Sequence, residues 1–556
     1  MIMVQFLNFQ NQIYRFLRIY YLKIKMLETR YSKISLFTMI FFAVLGTAMI
    51  FFLTSRWGIG LSPDSASYLS GARNIINGKG ISLIYDSNGN PLITWVPWID
   101  NETYHLFPWP PFFPLVLSIF GFMKLNLIEA GRWLNAVLFG ANIFLITLIV
   151  KKYLKSFFLL VFAPIILITS NDMIRVHSML WSEPLFIFLS LLGFVFLIDF
   201  LENKKILFLL IASLFFSLAF FTRTIGISLI AVSVVAVLFY SELKIKNKII
   251  YCAISILIEF LPFSIWALKN KLTYGSSPAE FIFHPLTLSS YSHVLDTISL
   301  WFMPDEISSK FRIIIITVLI IVIISIASFI TFKNKKRYMD EHYKLNSKII
   351  GIFLFFILFY FIVLLCSAYF FDAAIGIGDY RLLIPVPISI FIVFLFFLKR
   401  FLDFYSSKEG IKIIAFAFCG FLIATSISNS SIIELHKNGQ WYSRKNWYQS
   451  ETIKELNIIQ QAKIPIYTNE PGAIYLFLDR SSIYLPIKHN INTGRVNSNY
   501  QKDLNKIMEE IKEKDGLLVF FDSGWTVFPN EEEIKNNFQL LLVKDTSDGA
   551  IYRIKN

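Results

Sequence analysis

The chain has 556 residues, of which 55% are apolar and 17% are aromatic. Only 16% are charged, compared with about 25% in an average soluble domain. This composition excludes a disordered chain, a collagen, a disulfide-rich mini-protein and an ordinary cytosolic enzyme, and it predicts an integral membrane protein. The net charge of +14 does not predict nucleic-acid binding, because the basic residues collect in short loops between apolar runs.

The N-terminal segment, residues 1–33, is basic and aromatic and has apolar residues at helical spacing. This pattern predicts a cytoplasmic amphipathic helix at the membrane interface. No small-residue cleavage site follows the first apolar run, so we expect a retained signal anchor rather than a removed signal peptide.

Apolar runs of roughly 20 residues predict membrane spans. About eleven occur, at 34–54, 129–150, 157–171, 179–200, 206–221, 224–240, 248–267, 311–332, 348–371, 381–398 and 411–428. Together they define a predicted transmembrane domain over 34–429. A shorter run at 110–123 is broken by prolines, which predicts an interfacial or re-entrant helix.

The orientation follows from lysine and arginine clusters in alternate loops. With eleven spans, all of these clusters fall on one side, which the positive-inside rule identifies as the cytoplasm. We therefore expect a multi-pass protein of the plasma (inner) membrane. The opposite, extracytoplasmic face would carry outer loops at 55–128 and 268–310 and a polar domain at 430–556.

The polar C-terminal domain, 430–556, has the pattern of a small α/β unit. Four apolar runs predict strands, at 464–467, 483–487, 517–521 and 540–543, and the segment 500–514 predicts an amphipathic helix. The predicted fold class is thus mainly α, a polytopic helical membrane protein of about eleven spans with a small C-terminal α/β domain.

Two carboxylates lie at the outer ends of predicted spans, where a charge close to hydrocarbon often marks a site. Asp64 follows Ser62-Pro63, and Glu183 stands in Ser182-Glu183-Pro184. Each also has a purely structural interpretation, because Asp64 could cap a helix and Glu183 could favour a helix dipole.

Several further polar residues are predicted at the same face. For the arginines the alternative is snorkelling to lipid headgroups, and Asp379 could simply pair with Arg381. For His177 we expect a surface position. The set consists of Arg132, Arg223, Arg381, Lys269, Asn270, His177, Asp379 and Tyr380. Carboxylates beside arginines predict chemistry in which a base activates a hydroxyl acceptor while the arginines bind a lipid phosphate that departs.

An ordered series of short motifs resembles the polytopic glycosyltransferases of the GT-C type, which include protein O-mannosyltransferases (bacterial family 39) and lipid A aminoarabinose transferases. The resemblance spans residues 34–400 and continues into the tail. It is carried by Asp64 with Tyr68, Ala72 and Gly78-Lys79-Gly80, by Pro108-Trp109-Pro110-Pro111, by Arg132 and Asn135, by Ser182-Glu183-Pro184, by Phe221-Thr222-Arg223, by Trp266 to Asn270, and by Asp379-Tyr380-Arg381 with Pro385.

The resemblance implies an enzyme that takes a sugar from a polyprenyl-phosphate donor and works at the outer leaflet. It implies displacement at the anomeric carbon with inversion. Asp64 would be the base, Glu183 would bind or orient the acceptor or the sugar, and Arg223 and Arg381, together with Arg132, would face the lipid phosphate. A divalent metal is left open as a cofactor.

The sequence departs from many protein O-mannosyltransferases, which have Asp-Glu where this chain has Asp64-Ser65. The departure makes a protein acceptor doubtful, and the acceptor stays open among a glycan, a lipid and a protein. Three other functions are compatible with the sequence: another enzyme of lipid-linked envelope glycans, such as an O-antigen ligase or polymerase, a transporter, and a non-catalytic scaffold.

Overall fold

The computed structural model describes residues 32–82, 110–274, 283, 288–333, 341–370, 379–459, 464–480, 482–489, 496–524 and 526–555. The predicted amphipathic segment before residue 32 and the predicted site residue Trp109 lie outside these ranges.

Apolar helices form the bulk of the described chain. Up to the last apolar helix they are α1 (Ser32–Leu53), α2 (Pro63–Ile76), α3 (Phe112–Phe122), α4 (Leu127–Ile149), α5 (Phe157–Thr169), α6 (Asn171–His177), α7 (Glu183–Asn203), α8 (Ile206–Thr222), α9 (Ile227–Val235), α10 (Ile245–Tyr274), α11 (Leu288–Ser299), α12 (Ser309–Lys333), α13 (Glu341–Phe370), α14 (Tyr380–Leu383), α15 (Pro385–Phe404) and α16 (Glu409–Ser428). A π-helical turn extends α4 and another extends α9.

Within the described residues, seven helices are long and apolar enough to cross a bilayer, and α5 with α6 adds an eighth if this pair, bent by 61°, is one span. Each of the eleven predicted spans coincides with a helix or with such a bent pair. Two of them, 206–221 and 224–240, correspond to apolar helices of 10–17 residues, at or below the lower limit for a span. The chain is thus a multi-pass membrane protein, and α3 is too short to span, as its prolines predicted.

The C-terminal domain contains α17 (Ile432–Asn438), α18 (Lys445–Gln449), α19 (Glu451–Ile458), α20 (Pro471–Leu478), α21 (Tyr500–Glu513) and α22 (Glu531–Asn537). Its strands are β1 (Ile466–Thr468), β2 (Ile483–Tyr484), β3 (Leu517–Phe521), β4 (Leu540–Thr546) and β5 (Gly549–Ile554), in the sheet order β2-β1-β3-β5-β4. The α/β prediction is confirmed. The fifth strand was not predicted, because Gly549 and Arg553 interrupt its apolar pattern.

An extended segment, Ile59–Leu61, joins the helical bundle to the C-terminal domain. Gly60 pairs with Met179 just before α7, and Leu61 pairs with Trp441. The Tyr442 N–H also donates to the Leu61 carbonyl at 2.9 Å. This segment fixes the starts of α2 and α7 against each other and joins both to the C-terminal domain.

We predict that Gly439→Ala loosens this junction. Gly439 has a φ of +71°, and a Cβ there would lie 2.0 Å from the Ser443 carbonyl oxygen, so the chain must shift just before its pairing with Leu61. The strain alone costs about 1–3 kcal/mol. Thermal unfolding in detergent should therefore begin at a lower temperature than for wild type, whereas Gly410→Ala, where a Cβ meets nothing within 4 Å, should leave the transition unchanged. Equal curves for the two variants would contradict the prediction.

Candidate active site

Two helix N-termini bring the predicted carboxylates together. Ser62 caps α2 and exchanges hydrogen bonds with Ser65, and Pro63 occupies the first turn. Serine is a preferred residue at the cap and proline at the first helical position. Ser62, not Asp64, is the cap, so the Asp64 carboxylate stays free for other contacts. Glu183 begins α7, where a negative charge is stabilised by the helix dipole.

Four charged side chains form one cluster, which we call the charge cluster: Asp64, Glu183, Arg223 and Arg381. Arg381 Nη1 lies 2.5 Å from Asp64 Oδ2, and Arg381 Nε contacts Glu183 Oε1. Arg223 Nη1 lies 2.6 Å from the same Glu183 oxygen. Two carboxylates and two guanidinium groups cancel in charge, which makes their burial tolerable.

The charge cluster is shielded unevenly from solvent. The Glu183 side chain is 2% exposed and both arginines are 15% exposed, whereas Asp64 is 22% exposed. The second oxygen of Glu183, Oε2, is buried and has no hydrogen-bond partner among the described residues. A buried carboxylate oxygen without a donor is costly, so a substrate hydroxyl would stabilise it.

Neutral side chains hold the arginines in place. Arg223 Nη1 donates to Ser182 Oγ at 3.1 Å, and the same Oγ lies 3.1 Å from the Tyr68 hydroxyl. Burial and the Asp64 charge raise the pKa of Tyr68 to about 12, so its hydroxyl stays protonated. The Arg381 guanidinium lies 4.2 Å from the Trp181 ring centroid, a cation–π contact, and Trp181 Nε1 donates to Ser62 Oγ at 2.7 Å.

Local geometry determines where each arginine points. Arg223 follows the last residue of α8 in an extended conformation. Asp379 caps α14 by accepting the Arg381 backbone N–H at 2.9 Å. Asp379 therefore contacts the backbone of Arg381, whereas the Arg381 guanidinium contacts Asp64 and Glu183. Tyr380 packs under Arg175, whose guanidinium lies 4.5 Å from its ring centroid.

Arg132 lies apart from the charge cluster. Its Nε donates to Thr54 Oγ1 at 2.8 Å, its Nη2 donates to the Phe51 carbonyl at 3.1 Å, and its Nη1 lies 3.2 Å from Glu129. In the described part of the chain these bonds tie it to α1 and to its own helix. The neighbouring helix position carries Asn135, whose amide donates to the Met179 carbonyl at 2.5 Å.

The prediction that His177 lies on the surface is wrong. His177 is the last residue of α6, and its ring is fully buried against Asn142 of α4. Nδ1 lies 2.7 Å from the Met173 carbonyl and Nε2 lies 3.0 Å from Asn142 Nδ2, which fits a neutral ring that donates through Nδ1. The helix α6 turns this side chain inward, a direction that a single histidine in sequence does not reveal.

Lys269 and Asn270 lie near the C-terminal end of α10. Lys269 is exposed and Asn270 is buried. The contacts that form the charge cluster do not involve either residue. Sequence reasoning gave no role to Trp181 and Ser182, although Ser182 belongs to the motif Ser182-Glu183-Pro184 and Trp181 directly precedes it.

The carboxylates of the charge cluster do not form a metal-binding donor set. Across the described ranges, no group of three or more His, Cys, Asp or Glu side chains could hold a metal ion. Asp64 and Glu183 are instead joined by Arg381. Asp64 and Glu183 therefore do not fit a metal site.

No protein-family model matches the chain, and no curated protein matches it in sequence. Solved structures do match. ArnT from Cupriavidus metallidurans, bound to undecaprenyl phosphate, is 10% identical with a TM-score of 0.46, over 92% of this chain and 97% of that one. The archaeal oligosaccharyltransferase AglB from Archaeoglobus fulgidus, in complex with an inhibitory peptide and a dolichol-phosphate, is 11% identical with a TM-score of 0.48, over 93% and 74%.

Proposed function

We propose that the chain is an inverting glycosyltransferase that moves a sugar, a hexosyl or pentosyl group, from a polyprenyl-phosphate donor to an acceptor at the outer face of the plasma membrane. The acceptor is a glycan, a lipid or a protein. The observation that carries the proposal is the charge cluster, in which a partly exposed carboxylate stands beside two half-buried arginines in a multi-pass membrane protein. The resemblance of the sequence motifs to GT-C enzymes supports the same function.

The proposed topology has a cytoplasmic N-terminus, a catalytic transmembrane domain at 34–429 and an extracytoplasmic domain at 430–556. With this topology the charge cluster would lie at the outer face, where a lipid-linked donor presents its phosphate. A transporter would need its ionisable groups along a path through the bundle, whereas these four charges gather at the ends of helices.

Asp64 is the proposed base. Arg381 contacts Oδ2 and so fixes the carboxylate, which leaves Oδ1 as the proposed proton acceptor. Oδ1 would take the proton of the acceptor hydroxyl. The acceptor oxygen then bonds to the anomeric carbon, the bond from that carbon to the phosphate oxygen breaks, and its electron pair leaves on the lipid phosphate.

Arg223 is the arginine best placed for the leaving phosphate. In an inverting reaction the base and the leaving group stand on opposite faces of the sugar, with carboxyl groups about 6.5–9.5 Å apart in inverting glycosidases. Arg381 contacts the base, Asp64, directly, whereas the carboxylate that Arg223 contacts is Glu183. Its described hydrogen bond uses only Nη1, so Nε and Nη2 can donate to a phosphate in a forked pair.

Glu183 has two proposed roles. Its Oε1 aligns both arginines, and its unpartnered Oε2 would accept a hydrogen bond from a sugar hydroxyl. The sugar would lie between Asp64 and Arg223, and Glu183 contacts Arg223 and shares Arg381 with Asp64.

We predict that Arg223→Gln weakens donor binding by roughly tenfold to a hundredfold, because a hydrogen bond to a charged group contributes about 1.5–3 kcal/mol. Polyprenyl phosphate titrated against the purified protein in detergent would give the dissociation constants. Arg132→Gln is the matched control and should bind within about twofold of wild type. If Arg132→Gln shows the larger loss, the phosphate lies at α1 and α4 and the assignment is wrong.

The proposed function is tested by sugar transfer in liposomes. Radiolabelled polyprenyl-phosphate sugars would be mixed with the wild-type protein and a crude envelope fraction as acceptor. Label that moves to the envelope fraction supports the proposal. Donor that moves across the bilayer unchanged would instead establish a transporter. Transfer of a preassembled glycan chain, with single sugars refused, would establish a ligase or polymerase.

A further inference from the structure

One short turn connects α6 to α7, directly before the charge cluster. The Trp181 N–H donates to the Met179 carbonyl at 2.9 Å, which closes the turn. The Trp181 ring lies 4.2 Å from the Arg381 guanidinium. The next residue, Ser182, accepts a hydrogen bond from Arg223 at 3.1 Å. The path of the backbone through this turn therefore determines where both arginines of the charge cluster are held.

One side of the turn is bonded to the start of α2. The Gly60 N–H donates to the Ser178 carbonyl, and the Leu180 N–H donates to the Gly60 carbonyl, both at 2.8 Å. Ser65 Oγ donates to the Leu180 carbonyl at 3.0 Å. These bonds satisfy alternate carbonyls of the turn, and the buried carbonyls between them need donors from another part of the bundle.

The other side of the turn is bonded by one side chain, Asn135 of α4. Its Nδ2 donates to the Met179 carbonyl at 2.5 Å and to the Trp181 carbonyl at 3.4 Å. Asn135 is fully buried, and its own Oδ1 has no hydrogen-bond partner among the described residues. The reverse orientation of the amide would place Oδ1 against both carbonyls. Donation to the turn is thus the contact that the Asn135 amide serves.

A second buried asparagine on α4 offers a matched comparison. Asn142 lies about two turns further along the helix, and it is as fully buried as Asn135. Its Nδ2 lies 3.0 Å from His177 Nε2 and 3.3 Å from the Pro184 carbonyl. Its Oδ1 also has no partner in the described part of the chain. The described partners of Asn142 flank the turn, so it shares the burial of Asn135 but contacts different residues.

We propose that Asn135 is a positioning residue for the donor phosphate. It fixes the turn before Glu183 so that Ser182 Oγ holds Arg223 in the orientation that faces the lipid phosphate. The effect passes from the Asn135 amide to the Trp181 carbonyl, along the backbone to Ser182, and through Oγ to the guanidinium. This inference rests on the proposed function, in which Arg223 binds that phosphate.

The first experiment compares Asn135→Leu with Asn142→Leu. Each change replaces a buried amide by an apolar side chain of similar size, so both should lower the thermal midpoint in detergent. Polyprenyl phosphate titrated against each purified protein gives the dissociation constants. We expect the affinity to fall roughly threefold to tenfold in Asn135→Leu, the effect of one neutral hydrogen bond, and to stay within about twofold in Asn142→Leu. If a leucine variant does not fold, Asn135→Ala and Asn142→Ala give the same comparison.

The second experiment tests whether Asn135 acts through Ser182. Ser182→Ala removes the hydroxyl that Arg223 contacts and should itself weaken binding by roughly threefold to tenfold. When Asn135→Leu is added to Ser182→Ala, the affinity should fall by no more than about twofold further, because changes that act through one contact are not additive. An asparagine that only stabilises the bundle would give the same loss in both backgrounds.

Three results would overturn the inference alone, while binding of polyprenyl phosphate and sugar transfer by wild type still support the proposed function. They are an unchanged donor affinity in Asn135→Leu, equal losses in Asn135→Leu and Asn142→Leu, and an undiminished effect of Asn135→Leu in the Ser182→Ala background. A wild-type protein that neither binds polyprenyl phosphate nor transfers sugar overturns both the inference and the proposed function.

Discussion

Asp64→Asn is expected to lower sugar transfer by about a hundredfold or more, the effect of losing a general base. The asparagine keeps the size of the side chain and can still accept a hydrogen bond from Arg381, but it cannot take up the acceptor proton. Initial rates of label transfer in liposomes, with donor and envelope fraction in excess, would measure the loss.

The control for Asp64→Asn is Asp479→Asn. Asp479 also pairs with an arginine, Arg73, at 2.6 Å, but its side chain is 78% exposed and it lies in the C-terminal domain. An exposed pair contributes little to stability, so this variant should transfer sugar at nearly the wild-type rate. Equal transfer by Asp64→Asn and wild type would remove Asp64 from catalysis and make Glu183 the next candidate for the base.

Glu183→Gln is expected to be the most destabilising single change in the charge cluster. It leaves Arg223 and Arg381 without their shared buried partner, and breaking a buried ion pair costs about 3–5 kcal/mol. Thermal unfolding in detergent, followed by tryptophan fluorescence, should show a clearly lower midpoint. Donor binding should weaken as well, because Oε1 no longer aligns the two arginines.

Two further variants separate charge from packing. Glu129→Gln removes an exposed partner of Arg132 and should shift the midpoint little. The double change Glu183→Gln with Arg223→Gln should recover part of the stability, because Arg381 still pairs with Asp64 and the second change removes the one positive charge that Glu183→Gln leaves uncompensated. If the double variant is no more stable than Glu183→Gln alone, the two arginines do not depend on Glu183 for their charge balance.

Local sequence was sufficient for the elements that carry the site. Ser62-Pro63-Asp64 predicted the start of a helix, and α2 begins at Pro63. Glu183-Pro184 predicted another, and α7 begins at Glu183. Both predictions succeeded because capping depends on residues within one turn of each other. Four of the five C-terminal strands were found for a similar reason, since a run of apolar residues next to turn residues is a local signal.

The partners of the charged residues could not be found in this way. Asp379 is two residues from Arg381 and looked like its ion-pair partner, yet the guanidinium contacts Glu183, 198 residues away in sequence. Arg132 carried the same charge as Arg223 and Arg381, but in the described chain its hydrogen bonds are to α1 and α4. An ion pair depends on distance in space, and helix packing sets that distance.

The sequence by itself determined that this chain is a multi-pass helical membrane protein with an α/β domain, and which carboxylates and arginines stand at the ends of its helices. Those properties depend on hydropathy and capping, which neighbouring residues set. The tertiary structure decided that Asp64, Glu183, Arg223 and Arg381 form one neutral cluster, that His177 faces the bundle and that Asn135 bonds the turn before Glu183. Buried charges must be balanced by whichever groups the packing brings within contact, and that choice is made only when the helices and the C-terminal domain assemble.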